Sequence, residues 1–219
     1  MRKQFDEQLR CLNLEMVHMA GAVETAISRS VKALRNRDTE LAKEVITNDS
    51  AINSMEREIE HRCLKLLLCE QPVANDLRRV SAALKMITDM ERIGDHAADI
   101  AELIIYLSPE ADAAHQPQHI HAMAESAVKM LTDSINAYVY NDEQLARQVI
   151  TEDDVVDDLF LKTKSEITEM ISADKSSAEQ ALDMLMIAKY LERIGDHAVN
   201  IAEWVIFSIT GFHKDSTVI

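Results

Sequence analysis

Met90–Glu102 reads MERIGDHAADIAE, and Leu191–Glu203 reads LERIGDHAVNIAE. Ten of the thirteen positions are identical at an offset of 101 residues, which marks an internal duplication. A second pair, LAKEVITND at Leu41–Asp49 and LARQVITED at Leu145–Asp153, lies at an offset of 104. The three-residue difference places a deletion between the matched segments, at the turn formed by Cys69–Asn75 in one half and Ser172–Ser176 in the other.

Around these anchors the chain reads as all-α. It has four glycines and three prolines in 219 residues, where average usage supplies about 26 of the two together, so long helices are expected and tight-turned sheets are not. Three helices are predicted in each half, over 3–36, 39–69 and 75–107, then 117–140, 142–173 and 177–208. In the third, Ile87, Met90, Ala97, Ala101 and Ile104 recur at helical spacing. Asp38 and Asn141 are candidate caps for the second helix of each half. Asn75-Asp76 is one for the third, and Ser176-x-x-Glu179 has capping-box form. Helices of about 30 residues joined by short turns must run antiparallel, giving two tandem, pseudo-symmetric three-helix bundles. Their expected extents are 1–108 and 109–219, with a linker from Ser108-Pro109 to Gln118.

Composition narrows the function. Thirty-eight acidic against 23 basic side chains give a formal charge of −15, a surface that repels nucleic-acid phosphates and anionic lipid. Residues 1–108 carry 15 basic and 18 acidic groups and residues 109–219 carry 8 and 20, so the second half holds most of the excess. The first ten residues, MRKQFDEQLR, lack an apolar leader, and no later stretch approaches the roughly 18 apolar residues of a membrane span, so a soluble cytoplasmic protein is expected. Three cysteines, Cys11, Cys63 and Cys69, match no zinc spacing and read as ordinary packing residues.

The chemistry concentrates in acidic stripes. At about 100° per residue, Glu91, Asp95, Asp99 and Glu102 share an arc of roughly 80° on the third helix, opposite its apolar face. The sixth helix repeats this as Glu192, Asp196, Asn200 and Glu203. On the second helix Asp49, Asn53, Glu56 and Glu60 form a similar line, while the fifth keeps Asp153 and Asp157 but continues with Phe160 and Lys164. Like charges at i, i+4 repel, and neither third-helix stripe contains interleaved lysines. If neighbouring helices lay side by side, these oxygens could meet at a groove suited to hard or borderline cations such as magnesium, manganese or iron. Gly94 and Gly195, each costing about 1 kcal/mol in a helix interior, require either a closely approaching neighbour or room for a ligand. His96 and His197 read as ligands, as bonds to a neighbouring helix, or as caps on the groove, and Arg92 and Arg193 as partners for its carboxylates.

The runs QPVANDLRRVSAALKMITDMERIGDHAADIAE (Gln71–Glu102), KYLERIGDHAVNIAEWVIF (Lys189–Phe207) and VITNDSAINSMEREIEHRCLKLL (Val45–Leu67), with the closing TGFHK, resemble the PhoU family of bacterial phosphate-signalling proteins. The resemblance covers most of the chain. It implies surface multinuclear metal clusters held by paired E/D-x-x-x-D motifs, here Glu91/Asp95 and Glu192/Asp196 with Asp49/Asn53 and Asp153/Asp157. Asp99, Glu102, Asn200, Glu203 and Glu56 stand as additional or supporting groups. The ions would be divalent or trivalent, among iron, manganese, magnesium and zinc. Asn53 replaces the usual acidic residue, which implies a weaker or smaller first cluster. The resemblance further implies a cytoplasmic negative regulator of phosphate uptake that links the ATPase subunit of a phosphate ABC transporter to a phosphate-sensing histidine kinase, with a homodimer the expected assembly.

Two rival readings follow from the residues. Glu15-x-x-His18 and Glu58-x-x-His61 have the form of di-iron carboxylate motifs, although neither recurs in the other half. A metal-free helical scaffold is the other. No phosphate-cradling GxxxxGK[ST] loop and no GxSxG elbow is present, so enzymatic activity is not expected. Arg29, Lys32, Arg35 and Arg37 form either a docking patch for an acidic partner or a solvated helix end.

Overall fold

The computed structural model describes residues 2–70, 72–107, 117–214 and 216–217. Six helices carry the chain: α1 Arg2–Asn36, α2 Thr39–Glu70, α3 Asn75–Tyr106, α4 His119–Tyr140, α5 Glu143–Ala173 and α6 Ala178–Thr210. One 3-10 turn, Lys175–Ser177, leads into α6. After α6 come two-residue strands, β1 Phe212–His213 and β2 Ser216–Thr217, paired antiparallel. The sequence pattern did not announce that small ladder. Most of the expected linker, Ser108 to Gln116, lies outside the described residues, and Pro117 is buried beside the start of α4.

The 3.6-residue period decides which faces meet. In α3 the residues Ile87, Met90, Ala97, Ala101 and Ile104, singled out by spacing, are all buried, together with Val80, Ala83, Met86, Ile93 and Ile100. Helices α1, α2 and α3 pack mutually, as do α4, α5 and α6. The most extensive helix pair is α3 against α6, and α1 also meets α4. The two bundles are therefore joined through one continuous apolar core.

At the helix ends the structure matches the expected cap in one place and differs in three. Asp38 Oδ1 accepts the Leu41 backbone N–H at 3.0 Å, as the pattern requires. In the second half Asn141 does not cap α5. It ends α4 in the left-handed region (φ 53°), a conformation that asparagine tolerates, and the cap passes to Asp142, which accepts from Leu145 N at 3.0 Å. Ala74 (φ 48°) holds the N-cap position of α3 without a side-chain bond, and Asn75 instead accepts from the Arg78 guanidinium. The Ser176–Glu179 capping box does not form. The Ser176 hydroxyl donates back to Asp174 at 2.7 Å, because the 3-10 turn separates it from the first turn of α6.

Each α-hairpin carries a polar pair at an equivalent height, besides the Arg29–Glu44 pair between α1 and α2 and the Lys129–Glu152 pair between α4 and α5. Arg62 on α2 donates Nε and Nη2 to the Glu15 carboxylate on α1, both at 2.6 Å, and Nη1 to Gln8 Oε1 at 3.0 Å. At the positions 104 residues on, the Glu166 carboxylate on α5 meets His119 Nδ1 at 2.8 Å and accepts the Gln118 backbone N–H at 3.0 Å.

Candidate metal-binding grooves

The two mid-helix glycines set the geometry of the acidic surface. A Cβ built on Gly94 would stand 3.1 Å from both Ile52 Cδ1 and Ile52 Cγ2 and 3.6 Å from Asp49 Oδ1. A Cβ on Gly195 would stand 3.1 Å from Asp153 Oδ1 and 3.5 Å from Val156 Cγ1. Asp49 pairs with Gly94 as Asp153 pairs with Gly195, so both sequence offsets are realised in one repeated contact. The bare backbone permits close helix approach and also lays a carboxylate of the second helix against the third.

In the first groove Asp49 and Asn53 on α2 face Glu91 and Asp95 on α3. The Asn53 amide donates to Asp49 Oδ2 at 2.9 Å, while Asp49 Oδ1 and Asn53 Oδ1 are buried and have no hydrogen-bond partner. Burial, followed by the neighbouring Asp95 charge, raises the Asp49 pKa above the usual carboxylate range, and the Asn53 bond partly opposes this. Burial and then Asp95 raise Glu91 likewise, with Glu56 and Asp49 adding smaller repulsions. Arg92 supplies counter-charge at the outer edge, 3.0 Å from Asp95 Oδ2 and 3.5 Å from Glu91 Oε2.

In the second groove Asp153 and Asp157 on α5 face Glu192 and Asp196 on α6. Burial pushes Asp153 up to about 6, and Asp157, Asp196, Asp154 and Glu192 all repel its charge. Asp196 is raised by burial and by Glu192, and Lys189 opposes that shift. The Lys189 ammonium bonds the Glu192 carboxylate and lies 5.5 Å from the centroid of the Phe160 ring.

Of the remaining stripe residues, Asn200 and Glu203 turn away from these grooves, while Asp99 and Glu56 stay near enough to repel Asp49 and Glu91. Asn200 turns toward α3, where its amide donates to Asp89 Oδ1 at 3.2 Å. Glu203 pairs with Lys214 of the C-terminal ladder at 3.0 Å. Asp99 Oδ2 lies 3.3 Å from His96 Nδ1, Glu102 is exposed, and Glu56 is half-buried with its pKa raised by burial and by Glu60. His96 and His197 belong to the α3–α6 seam. His197 Nδ1 lies 2.8 Å from Asp89 Oδ1, and the His96 ring stands 5.3 Å from Tyr190 and 5.5 Å from His197 between centroids. Asp89 and Lys189 were missed by sequence reasoning. The only available signal for Lys189 was its i, i+3 spacing to Glu192.

Among the described residues no three His, Cys, Asp or Glu side chains stand together closely enough to hold a metal ion in their present rotamers. The donor set nevertheless fits a hard cation: orphaned oxygens on α2, facing carboxylates that repel one another, and no sulfur. The di-iron motifs do not fit. Glu15 is taken by Arg62, and Glu58 and His61 are exposed on the outside of α2.

Comparison with known proteins places the chain. The PhoU domain profile matches residues 16–104 and again 120–205. The chain belongs to the PhoU family. It is 37% identical over 217 residues, 98% of each chain, to the phosphate-specific transport system accessory protein PhoU homolog of Clostridium acetobutylicum. It is 33% identical over 209 residues, 95% of this chain and 86% of the other, to the homolog of the same name from Pseudomonas aeruginosa. The crystal structure of PhoU from Pseudomonas aeruginosa superposes with a TM-score of 0.87 at 32% identity, covering 95% of this chain and all of that one. The phosphate transport system regulatory protein PhoU from Streptococcus pneumoniae superposes at 0.86 with 28% identity, covering 97% of this chain and all of that one. No described helix is long and apolar enough to cross a membrane.

Proposed function

We propose that this chain is an accessory regulator of phosphate uptake. In this reading it works in the cytoplasm, as a homodimer and without catalysis of its own. It restrains the phosphate-starvation response by linking the ATPase subunit of a phosphate ABC transporter to a phosphate-sensing histidine kinase. The observation that carries this reading is the relationship, over nearly the whole of both chains, to a protein named for accessory function in phosphate-specific transport. The fold supports it: long helices locked through one core present rigid faces for docking. Recovery of the tagged protein from membranes of cells grown at high and low phosphate tests it. Transporter ATPase and histidine kinase should co-purify, and recovery of neither would remove the adaptor role.

The same reading makes the two grooves metal sites. Asp49, Asn53, Glu91 and Asp95 would hold a cation in the first half, and Asp153, Asp157, Glu192 and Asp196 in the second. A bound di- or trivalent ion, among iron, manganese, magnesium and zinc, would supply the positive charge that turns carboxylate repulsion into attraction. The chain's own part is to position the donors. Gly94 and Gly195 let the helix pairs close, and the packed Ile52 and Val156 hold α2 and α5 in register. A metal-free scaffold is the rival, favoured by the counter-charges that Arg92 and Lys189 already provide. Elemental analysis of protein purified without chelator separates the two. Metal should be present in the wild type and lost in Asp95→Ala/Asp196→Ala, whereas equal, trace contents in both leave the scaffold.

A further inference from the structure

We infer that Lys189 is a resident counter-cation of the second groove, so that the two halves take up metal in sequence, the first groove tightly and the second only once the ammonium is displaced. This rests on the metal-binding reading above and concerns how the two sites differ under it.

The duplication provides an internal control. Lys189 corresponds to Thr88 at the offset of 101, while Phe160 and Lys164 correspond to Glu56 and Glu60 at the offset of 104. Donor charge gives the first groove no advantage: Asn53 stands where the second has Asp157, and Glu56, acting on Glu91, only makes up that one charge. What separates them is a lysine on α6 together with the ring on α5 that receives it. Lys189 bonds Glu192, whose side chain is only 14% exposed, and sits against the Phe160 face where the first half has a carboxylate. A ring face attracts an ammonium, and a carboxylate sheltered from water binds it more strongly than an exposed one does.

The cation of the first groove is held differently. Arg92 is 57% exposed against 40% for Lys189, and its partners Asp95 and Glu91 are 29% and 25% exposed against 14% for Glu192, so its withdrawal into solvent costs less. Behind it, Asp49 Oδ1 and Asn53 Oδ1 are buried without a partner. An ion entering there gains acceptors that nothing else satisfies, whereas an ion entering the second groove must first break the Lys189–Glu192 pair. The resulting order is the reverse of the one suggested by the missing charge at Asn53.

Mn²⁺ titration of the metal-stripped, full-length protein, read by the free-Mn²⁺ electron paramagnetic resonance signal and by the shift in Tm, tests this. Wild type should show two classes, with the tighter lost in Asp95→Ala and the weaker in Asp196→Ala. Lys189→Met keeps the stem over Phe160 and removes the charge. It should tighten the weaker class about tenfold or more and leave the tighter in place. Thr88→Lys, at an exposed position, should loosen the tighter class by a similar factor. If both variants melt as folded proteins and neither class moves, Lys189 is only a surface ion pair and the inference is overturned while metal binding stands. If wild type takes up no more Mn²⁺ than Asp95→Ala/Asp196→Ala, the metal-binding reading fails and the inference fails with it.

Discussion

The two halves keep the same scaffold with different charges. Arg62 on α2 grips Glu15 on α1, and at the equivalent height Glu166 on α5 meets His119 on α4, so basic and acidic partners have changed sides. Gly94 against Asp49 and Ile52, by contrast, is reproduced position for position by Gly195 against Asp153 and Val156. A polar tie requires only complementarity, and either partner can supply either sign. A close helix crossing requires a missing side chain at one particular place, and no substitution elsewhere restores it. The glycine contact is kept in both halves, and the hairpin tie is kept only as a complementary pair.

The ties give the largest expected difference. Arg62→Ala removes two charge-assisted bonds and the Gln8 contact and leaves Glu15 half-buried without its partner. It should cost about 2 kcal/mol in urea unfolding. Glu166→Ala loses one ring contact and one backbone acceptor, and roughly half that cost is expected. Equal losses would mean that the swapped pairs are energetically equivalent. The exchange Glu15→Arg/Arg62→Glu should recover most of the single-variant loss if complementarity alone decides.

A smaller effect separates the glycines. In both, alanine gains about 1 kcal/mol of helix propensity. At Gly94 the new methyl meets two carbons of Ile52, which is 3% exposed and locked in the core, so the strain should exceed the gain and leave a net loss of about 1 kcal/mol. At Gly195 the nearest atom is a carboxylate oxygen of Asp153, which can rotate away, so Gly195→Ala should be neutral or slightly stabilising in thermal melts. Equal destabilisation at both positions would show that the Asp153 carboxylate is held as firmly as a core side chain.

These contrasts also show what the residues disclose on their own. Helix placement was legible because Ile87, Met90, Ala97, Ala101 and Ile104 repeat at the period that buries one face, and all five are buried. The facing of Asp49 toward Asp95 was legible only conditionally, from acidic stripes on two helices that would meet if the helices lie side by side, while the glycines alone left open whether a neighbour or a ligand fills the space beside them. Asn200 and Glu203 share the stripe's arc but leave the groove, since Asp89 and Lys214 draw them off from elements that helical spacing cannot place. Lys189 was invisible for the same reason: its meaning depends on Phe160, 29 residues earlier on another helix. The caps moved by one residue where Asn141 and Ala74 took positive φ, and at Ser176 the 3-10 turn displaced the expected box.

The smallest expected effect, and the one that most directly compares the carboxylates of the two grooves, is in the pH dependence of the metal-stripped protein. Asp153 titrates at about 6 in the folded chain against 3.8 for an ordinary aspartate, because burial and four nearby carboxylates disfavour its charge. Between about pH 4 and 6 the folded state therefore binds more protons than the unfolded state, and stability must fall as pH rises through that window. The penalty is complete above pH 6 and absent below about 4. Asp153→Asn should remove it. The stripped variant should then be more stable than wild type above pH 6, by on the order of 1 kcal/mol after screening at this half-exposed site, and equal to it near pH 4. Asp49 is shifted in the same direction, but its Asn53 bond favours the charged form, so Asp49→Asn should show the smaller gain. With saturating Mn²⁺ the sign should invert at both positions, since each asparagine then removes a charged ligand. A stripped Asp153→Asn protein no more stable than wild type at pH 7 would show that water, rather than its neighbours, sets the Asp153 charge.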